Sequence, residues 1–598
     1  MGTPHTLNDI FFDAMEHFSS KAAAMQYKAG GTWHGITHQE FARRVKHTAL
    51  GLLELGVKPG DRVAIMSPNR PEWAIADFGC LTARCADVPV YPTLPAKQAA
   101  YVLRDSGVVA AFVADLEQYA KVADTRADIP ALRHVILFEG TTEDPDTTTL
   151  GALERLGAAA ESRYPHYERD ARQVQPDDLA TLIYTSGTTG DPKGVMLTHG
   201  NFTSNVLASL PRLPVSASDT GLSLLPLSHS LERMGGHYTL IHAGVTIAYA
   251  ESIELVAANM QEVHPTVLVA VPRLYEKIYG RVLENALAGS SLKRRIFFWA
   301  KRAGEAWADR VLAGEPIPAG LAVSRAIADR LVFAKLRART GGRIRFFVSG
   351  GAPLSADIAK FFFAAGLPIL EGYGLTESSP VICINPLNRP KLGTVGPAIT
   401  GVEVRIAEDG EILARGPNIM RGYHNQPEAT REAVDTDGWL HTGDIGELDA
   451  DGYLRITDRK KDIIVTAGGK NIAPQPIENR IKTNPFIVNA VMIGDRRKYP
   501  IMLVVPNRDA LIAWATERGL PTADYERLLE HPDAMAKVER EVMGNLRDLA
   551  TYETPKKFVL LAQDFSIEGN ELTPTLKVKR RVVEQRYRDA IERLYAEG

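Results

Sequence analysis

Cysteine is scarce: Cys80, Cys85 and Cys383 are the only three in 598 residues. Three thiols so placed make neither a metal quartet nor a disulfide framework, which implies reduced, structural side chains in a cytosolic protein. Long apolar runs are missing as well. The longest, at 179–184 and 267–271, fall far short of the ~20 residues that a membrane span needs. No basic segment followed by an apolar one stands at the N-terminus, so no signal peptide is expected. Nor is one sign of charge in excess. A formal net charge of −3 supplies no bulk field for nucleic acid, so any anionic ligand must be held by a local site.

What remains is an ordinary globular composition, 45% apolar and 24% charged, in a chain too long for one core. Over residues 1–457 helical and strand patterns alternate, the signature of an α/β domain with helix-flanked, largely parallel sheets. Thr37 and Glu40 have capping-box spacing, and Phe41, Val45, Ala49 and Leu52 then recur on one helical face. Residues 402–406 and 411–414, joined across Asp409 and Gly410, read as a hairpin. The stretch 282–340 is different: rich in Ala, Arg, Lys and Leu and interrupted by Pro-Ile-Pro at 316–318, it reads as a surface-mounted helical insertion. A basic face there suits either plain solvation or contact with anionic lipid. At 458–462 (DRKKD) the pattern changes to a charged connector, and 463–598 mixes short strands with charged helices at domain size. The expected architecture is therefore multi-domain α/β, with a smaller α+β domain at the C-terminus.

The chemistry starts where an apolar strand at 179–184 runs into TSGTTGDPKG at 185–194. Glycines at 187, 190 and 194 allow a phosphate close to the backbone. Hydroxyls of Thr185, Ser186, Thr188 and Thr189 can donate to its oxygens, and Lys193 adds positive charge. The spacing is not that of a Walker A loop. A polar ten-residue loop directly after a buried strand is nonetheless poorly explained as a surface turn.

TSGTTGDPKG closely resembles the signature loop of the adenylate-forming, or AMP-binding, superfamily. Five further stretches match in the family's order: SGGAPL at 349–354, YGLTE at 373–377, HTGD at 441–444, DRKKDIIVTAGGKNIAP at 458–474 and PTLKVKR at 574–580. LPLSHSLERMGG at 225–236 resembles the long-chain fatty acyl-CoA synthetase branch in particular. The resemblance implies activation of a fatty acid by ATP and Mg²⁺, followed by transfer to CoA.

It also implies residue roles. Thr185, Ser186, Gly187, Thr188, Thr189, Gly190 and Lys193 would hold the phosphates. Gly350, Gly351, Ala352, Pro353, Tyr373 and Gly374 would form the adenine slot, with Tyr373 stacked on the ring. Asp444 would accept from the ribose hydroxyls, backed by Arg459, while Glu377 and Thr185 would carry the Mg²⁺ and Thr376 would touch the α-phosphate. His229 would lie where acyl group and thiol meet. Lys577 would join carboxylate and α-phosphate in the first half-reaction, with Lys579 as the alternative lysine. A mobile C-terminal domain would then turn about Lys461, offering the turn at 468–470 for thiolation. The rival within the family is a fatty acyl-AMP ligase that loads a carrier protein. Such ligases typically carry an insertion after the hinge, and here Asp462 runs to Pro474 without one. Peripheral contact with the inner face of a membrane and a homodimer both stay open at this stage.

Overall fold

The computed structural model describes residues 2–185, 191–547, 549–566, 569–573 and 578–596. Two eight-stranded sheets dominate the larger part. In one, Ile369–Gly374, Phe346–Ser349, Val267–Ala270, Thr220–Ser223, Thr246–Tyr249 and Met25–Ala29 run parallel, with antiparallel strands at both edges. In the other, Leu179–Thr185, Ala86–Val90, Arg62–Met66, Ala110–Val113, His134–Leu137 and Thr147–Thr149 are parallel. Lys193–Thr198 and Gly422–Tyr423 extend that sheet antiparallel on its other side. These inner strands are buried along their length, as parallel sheets covered by helices on both faces require.

Between the sheets lie the helix Pro71–Thr82, every residue of which but Glu72 is buried, and the π-helix Glu232–Tyr238. Phe11, Phe78, Phe202 and Tyr238 join there in one core that spans both sheets. A third, wholly antiparallel sheet carries Glu403–Ile406, Glu411–Arg415, Leu440–Leu448 and Leu454–Arg459. Beyond it, the strands Ile487–Ile493, Ile501–Pro506 and Phe558–Leu560 and their helices enclose separate cores around Met492, Met502 and Val538 and around Val491, Leu503 and Val583.

Three sequence readings change. The Thr37 side chain does accept from the Glu40 amide, but no reciprocal bond from Glu40 forms, so the cap is half of the expected box. The helical region begins earlier, at Pro272–Leu287, and continues through Ser291–Leu312, Ala319–Ala328 and Ala334–Arg339. It is not simply mounted on the surface, because Phe297, Ala300 and Phe333 are buried in a core with Phe361 and Phe362. The strand Leu454–Arg459 also runs into the charged connector, so Asp458 and Arg459 belong to a sheet of the larger part.

Candidate active site

Parallel strands expose their final amides and the loops that follow at one edge, where α/β proteins bind ligands. Thr185 ends one strand; 350–353 follow Phe346–Ser349, Thr376 and Glu377 follow Ile369–Gly374, and the segment with His229 follows Thr220–Ser223. Three of these stretches leave strand ends of one large sheet and Thr185 a strand end of the other, and the two groups meet through Tyr423, which pairs beside Lys193 and reaches Glu377. Of the phosphate-loop residues, Ser186, Gly187, Thr188, Thr189 and Gly190 lie outside the described residues, as does Lys577.

The two stems of that loop are paired, Thr185 opposite Lys193 and Tyr184 opposite Gly194. Tyr423 lies against the same hairpin, paired with Val195. The Lys193 ammonium sits 4.9 Å from the Tyr423 ring centre, and the Tyr423 hydroxyl donates to Glu377 Oε1 at 2.9 Å. A tyrosine that no motif had marked thus ties Lys193, the expected phosphate lysine, to the expected metal carboxylate. Its hydroxyl keeps its proton, because burial and then Glu377 raise its pKa. Among the described residues no group of three His, Cys, Asp or Glu could cage a metal. Mg²⁺ needs no such cage when phosphate and water supply most of its ligands, so one half-buried carboxylate beside a phosphate loop fits it.

The residues expected on the nucleoside side are equally tied together. Tyr373 donates to Asp444 Oδ2 at 2.7 Å, while Arg459 Nε stands 3.2 Å from Asp444 Oδ1. Asp444 is buried yet paired, with its backbone held by the Thr442 hydroxyl. Gly351–Pro353 border the same cleft, whose volume is about 1670 Å³. Gly374 has a packing reason to be glycine: a Cβ there would stand 1.6 Å from the Pro380 carbonyl oxygen.

The segment 225–231 is fixed from below. Asn69 donates to the Leu225 carbonyl and to Ser223 Oγ and accepts from the Leu227 amide, and Ser223 donates to Glu232 Oε1 at 2.7 Å. His229 Nδ1 accepts the Leu231 amide, and Ser230 Oγ lies 3.2 Å from Thr376 Oγ1. Burial pushes Glu232 up to about 8, outweighing the bonds from Ser223 and Leu224, and its second oxygen is buried without a protein partner. At neutral pH Glu232 is therefore a neutral acid.

Next to it, Arg233 is fully buried between the two sheets. Its guanidinium donates to Asp77 and Asp87, to Thr181 Oγ1 at 2.8 Å and to Tyr238 Oη at 2.9 Å, and rests over the Trp73 ring. Burial would raise Asp77, but Arg233 and then His237 draw it below the usual carboxylate range. Asp87 is pushed by burial to about 7 despite Arg233. Sequence reasoning missed Asp77 and Asp87. The signal was a lone charge inside the apolar run WAIADFGC and another inside ADVPV.

From the C-terminal side, Asn479 donates to the Pro353 carbonyl, Asn507 to Glu284, and Arg273 pairs with Asp564. Arg580 is spent on Glu478, at 2.6 and 3.0 Å, and on the Met492 carbonyl. Lys579 reaches Asn570 Oδ1 at 2.6 Å. Lys460 is anchored to Asp409 and Glu411 of the third sheet, and the next residue, Lys461, is exposed.

Comparison with known proteins now places the chain. The family model for AMP-binding enzymes matches residues 11–424, and that for the AMP-binding enzyme C-terminal domain matches 461–598. The chain belongs to the AMP-binding enzyme family. Within the family it stands in the long-chain acyl-CoA synthetase branch. It is 40% identical over 573 residues to the long-chain-fatty-acid–CoA ligase FadD15 of Mycobacterium bovis, covering 94% of this chain and 93% of that one. To the peroxisomal long chain acyl-CoA synthetase 6 of Arabidopsis thaliana it is 32% identical, over 99% and 86% of the two chains. Among solved structures, the anthranilate CoA ligase AuaEII in complex with anthranoyl-AMP superposes with a TM-score of 0.75 at 18% identity, over 99% of each chain. That likeness concerns the fold.

Proposed function

We propose that the protein is an ATP-dependent long-chain fatty acid:CoA ligase. The carboxylate attacks the ATP α-phosphorus and expels pyrophosphate, giving acyl-adenylate. The CoA thiol then attacks the acyl carbon, forming the thioester and releasing AMP. The observation that carries this reading is the convergence of Lys193, Tyr423, Glu377, Thr376 and Ser230 from strand ends of the two large sheets, beside the Tyr373–Asp444–Arg459 group. Lys193 and the loop amides bind phosphate oxygens, and Asp444 accepts ribose hydroxyls once Tyr373 yields its bond. Mg²⁺ held by Glu377 and Thr185 would neutralise phosphate charge as the carboxylate approaches.

Lys577 is assigned the adenylation step. Its basic neighbours Lys579 and Arg580 are engaged within their own domain, and Val578 borders the cleft with Gly351 and Pro353. Lys461 is assigned the pivot, as the first residue beyond the last anchor, Lys460, on the larger part. Turning there would withdraw Lys577 and bring the exposed turn at 468–470 to the cleft. CoA-dependent AMP release, measured across acids from acetate to arachidate, tests the assignment. Activity should peak on long chains; a peak on short or aromatic acids would remove the long-chain reading and spare adenylation. Lys577→Ala should abolish adenylate formation and spare thiolation of supplied acyl-adenylate, whereas Lys461→Pro should do the reverse.

A further inference from the structure

Helices on a protein surface turn apolar residues inward and polar ones outward. The helix Ala319–Ala328 does the opposite. Its outward residues Ala319, Ala322, Val323, Ala326 and Ile327 are exposed and apolar, and Leu331 continues the stripe one turn on. Its own charge, Arg325, turns inward to Asp329 and covers the Trp307 and Phe333 rings. Asp329 in turn takes both Arg337 terminal nitrogens. Six of the fifteen exposed large apolar side chains among the described residues fall between Leu287 and Leu331. Such clustering marks an interaction surface rather than scattered exposure.

Charge says what kind. Residues 291–340 hold eleven Lys and Arg against four Asp and Glu, a local +7 in a chain of −3. Lys293, Arg294, Arg295, Arg302, Arg330 and Lys335 are all exposed. None of the six has a salt-bridge partner among the described residues. Aliphatic side chains without exposed aromatics, flanked by unpaired basic residues, suit a flat anionic surface better than a protein partner. No helix among the described residues is long and apolar enough to cross a membrane.

We infer that the outward face of Ala319–Ala328, with Leu292 and the basic cluster at 293–295, docks the protein on an anionic phospholipid bilayer. The docking rests on the ligase reading only for its purpose, which is to take up an acid that partitions into membranes. Binding itself needs neither acid, ATP nor CoA.

Co-sedimentation of the full chain with sucrose-loaded vesicles, without substrates, tests it. Vesicles of equal parts phosphatidylcholine and phosphatidylglycerol should bind the protein, and pure phosphatidylcholine should bind it far less. Each surface Lys or Arg contributes roughly five-fold to such partitioning, so Lys293→Gln, Arg294→Gln and Arg295→Gln together should weaken it on the order of 100-fold. Val323→Ser, Ile327→Ser and Leu331→Ser together should abolish it. Both triple variants should keep wild-type AMP release on a water-soluble medium-chain acid, which shows them folded. Vesicle binding unchanged in the serine variant, or absent from the wild type, overturns the inference. So does a self-associating wild type made monomeric by the serine changes without effect on lipid binding, because the stripe would then cover a second copy of the chain. Loss of ligase activity with intact vesicle binding would count against the proposed function alone.

Discussion

Replacing Glu232 with glutamine keeps the shape of a protonated carboxyl while removing its ability to ionise. In the folded protein the group holds its proton up to about pH 8, against an ordinary value of 4.5. Between those limits the unfolded chain releases a proton that the folded chain keeps, so stability falls as pH rises from about 4.5 to about 8 and is level above. At ~1.36 kcal/mol per pH unit the full span is worth on the order of 5 kcal/mol. Glu232→Gln deletes that slope. Urea-unfolding midpoints of the two proteins, followed by the fluorescence of buried Trp73 from about pH 5 to about pH 9, should be close at the acid end and diverge in favour of glutamine as pH rises. Turnover should report the same group. Ionised Glu232 is a buried charge with one oxygen unpartnered, directly beneath the segment with His229 that Ser223 and Asn69 hold. The wild type should therefore lose kcat above about pH 8, and the glutamine variant should lose less. A stability difference constant across the range would refute the reasoning, because Glu232 would then be charged inside the fold.

Arg233→Met strands Asp77 and Asp87 between the sheets without their cation and should cost about 3–5 kcal/mol by urea unfolding. Adding Asp87→Asn should recover part of that loss, and no recovery would mean the three groups do not act as one cluster. Tyr423→Phe removes the hydroxyl that reaches Glu377; KM for MgATP should rise roughly five-fold, the worth of one hydrogen bond, with the unfolding midpoint unchanged. Asp444→Ala removes the acceptor shared by Tyr373 and Arg459, so the same assay should show KM for ATP raised about ten-fold or more. Equal loss with an ATP analogue lacking ribose hydroxyls would point to a structural role instead.

Short-range patterns carried most of what the sequence disclosed. The buried strand ending at Thr185, the hairpin across Asp409 and Gly410 and the glycine loop after Ser349 each depend on neighbours a few residues away. Contacts between distant stretches were not legible. Nothing near Tyr423 says that it will pair with Val195 and reach Glu377, since a two-residue strand has no period to read. Asp77, Asp87 and Arg233 come from three elements up to 156 residues apart, and each alone looks like a misplaced charge. At 282–340 the helical period was readable while the direction of each face was not, because the apolar stripe of Ala319–Ala328 faces solvent. Composition gives the amount of apolar surface, and only packing says which part is covered.

The central claim is that the acid is activated as an adenylate. Palmitate labelled with heavy oxygen in its carboxylate, turned over with ATP and CoA, tests it most directly. Attack on the α-phosphorus moves one labelled oxygen per turnover into AMP, and mass spectrometry should find it there, with pyrophosphate unlabelled. Label in pyrophosphate or inorganic phosphate, with unlabelled AMP, would contradict the account.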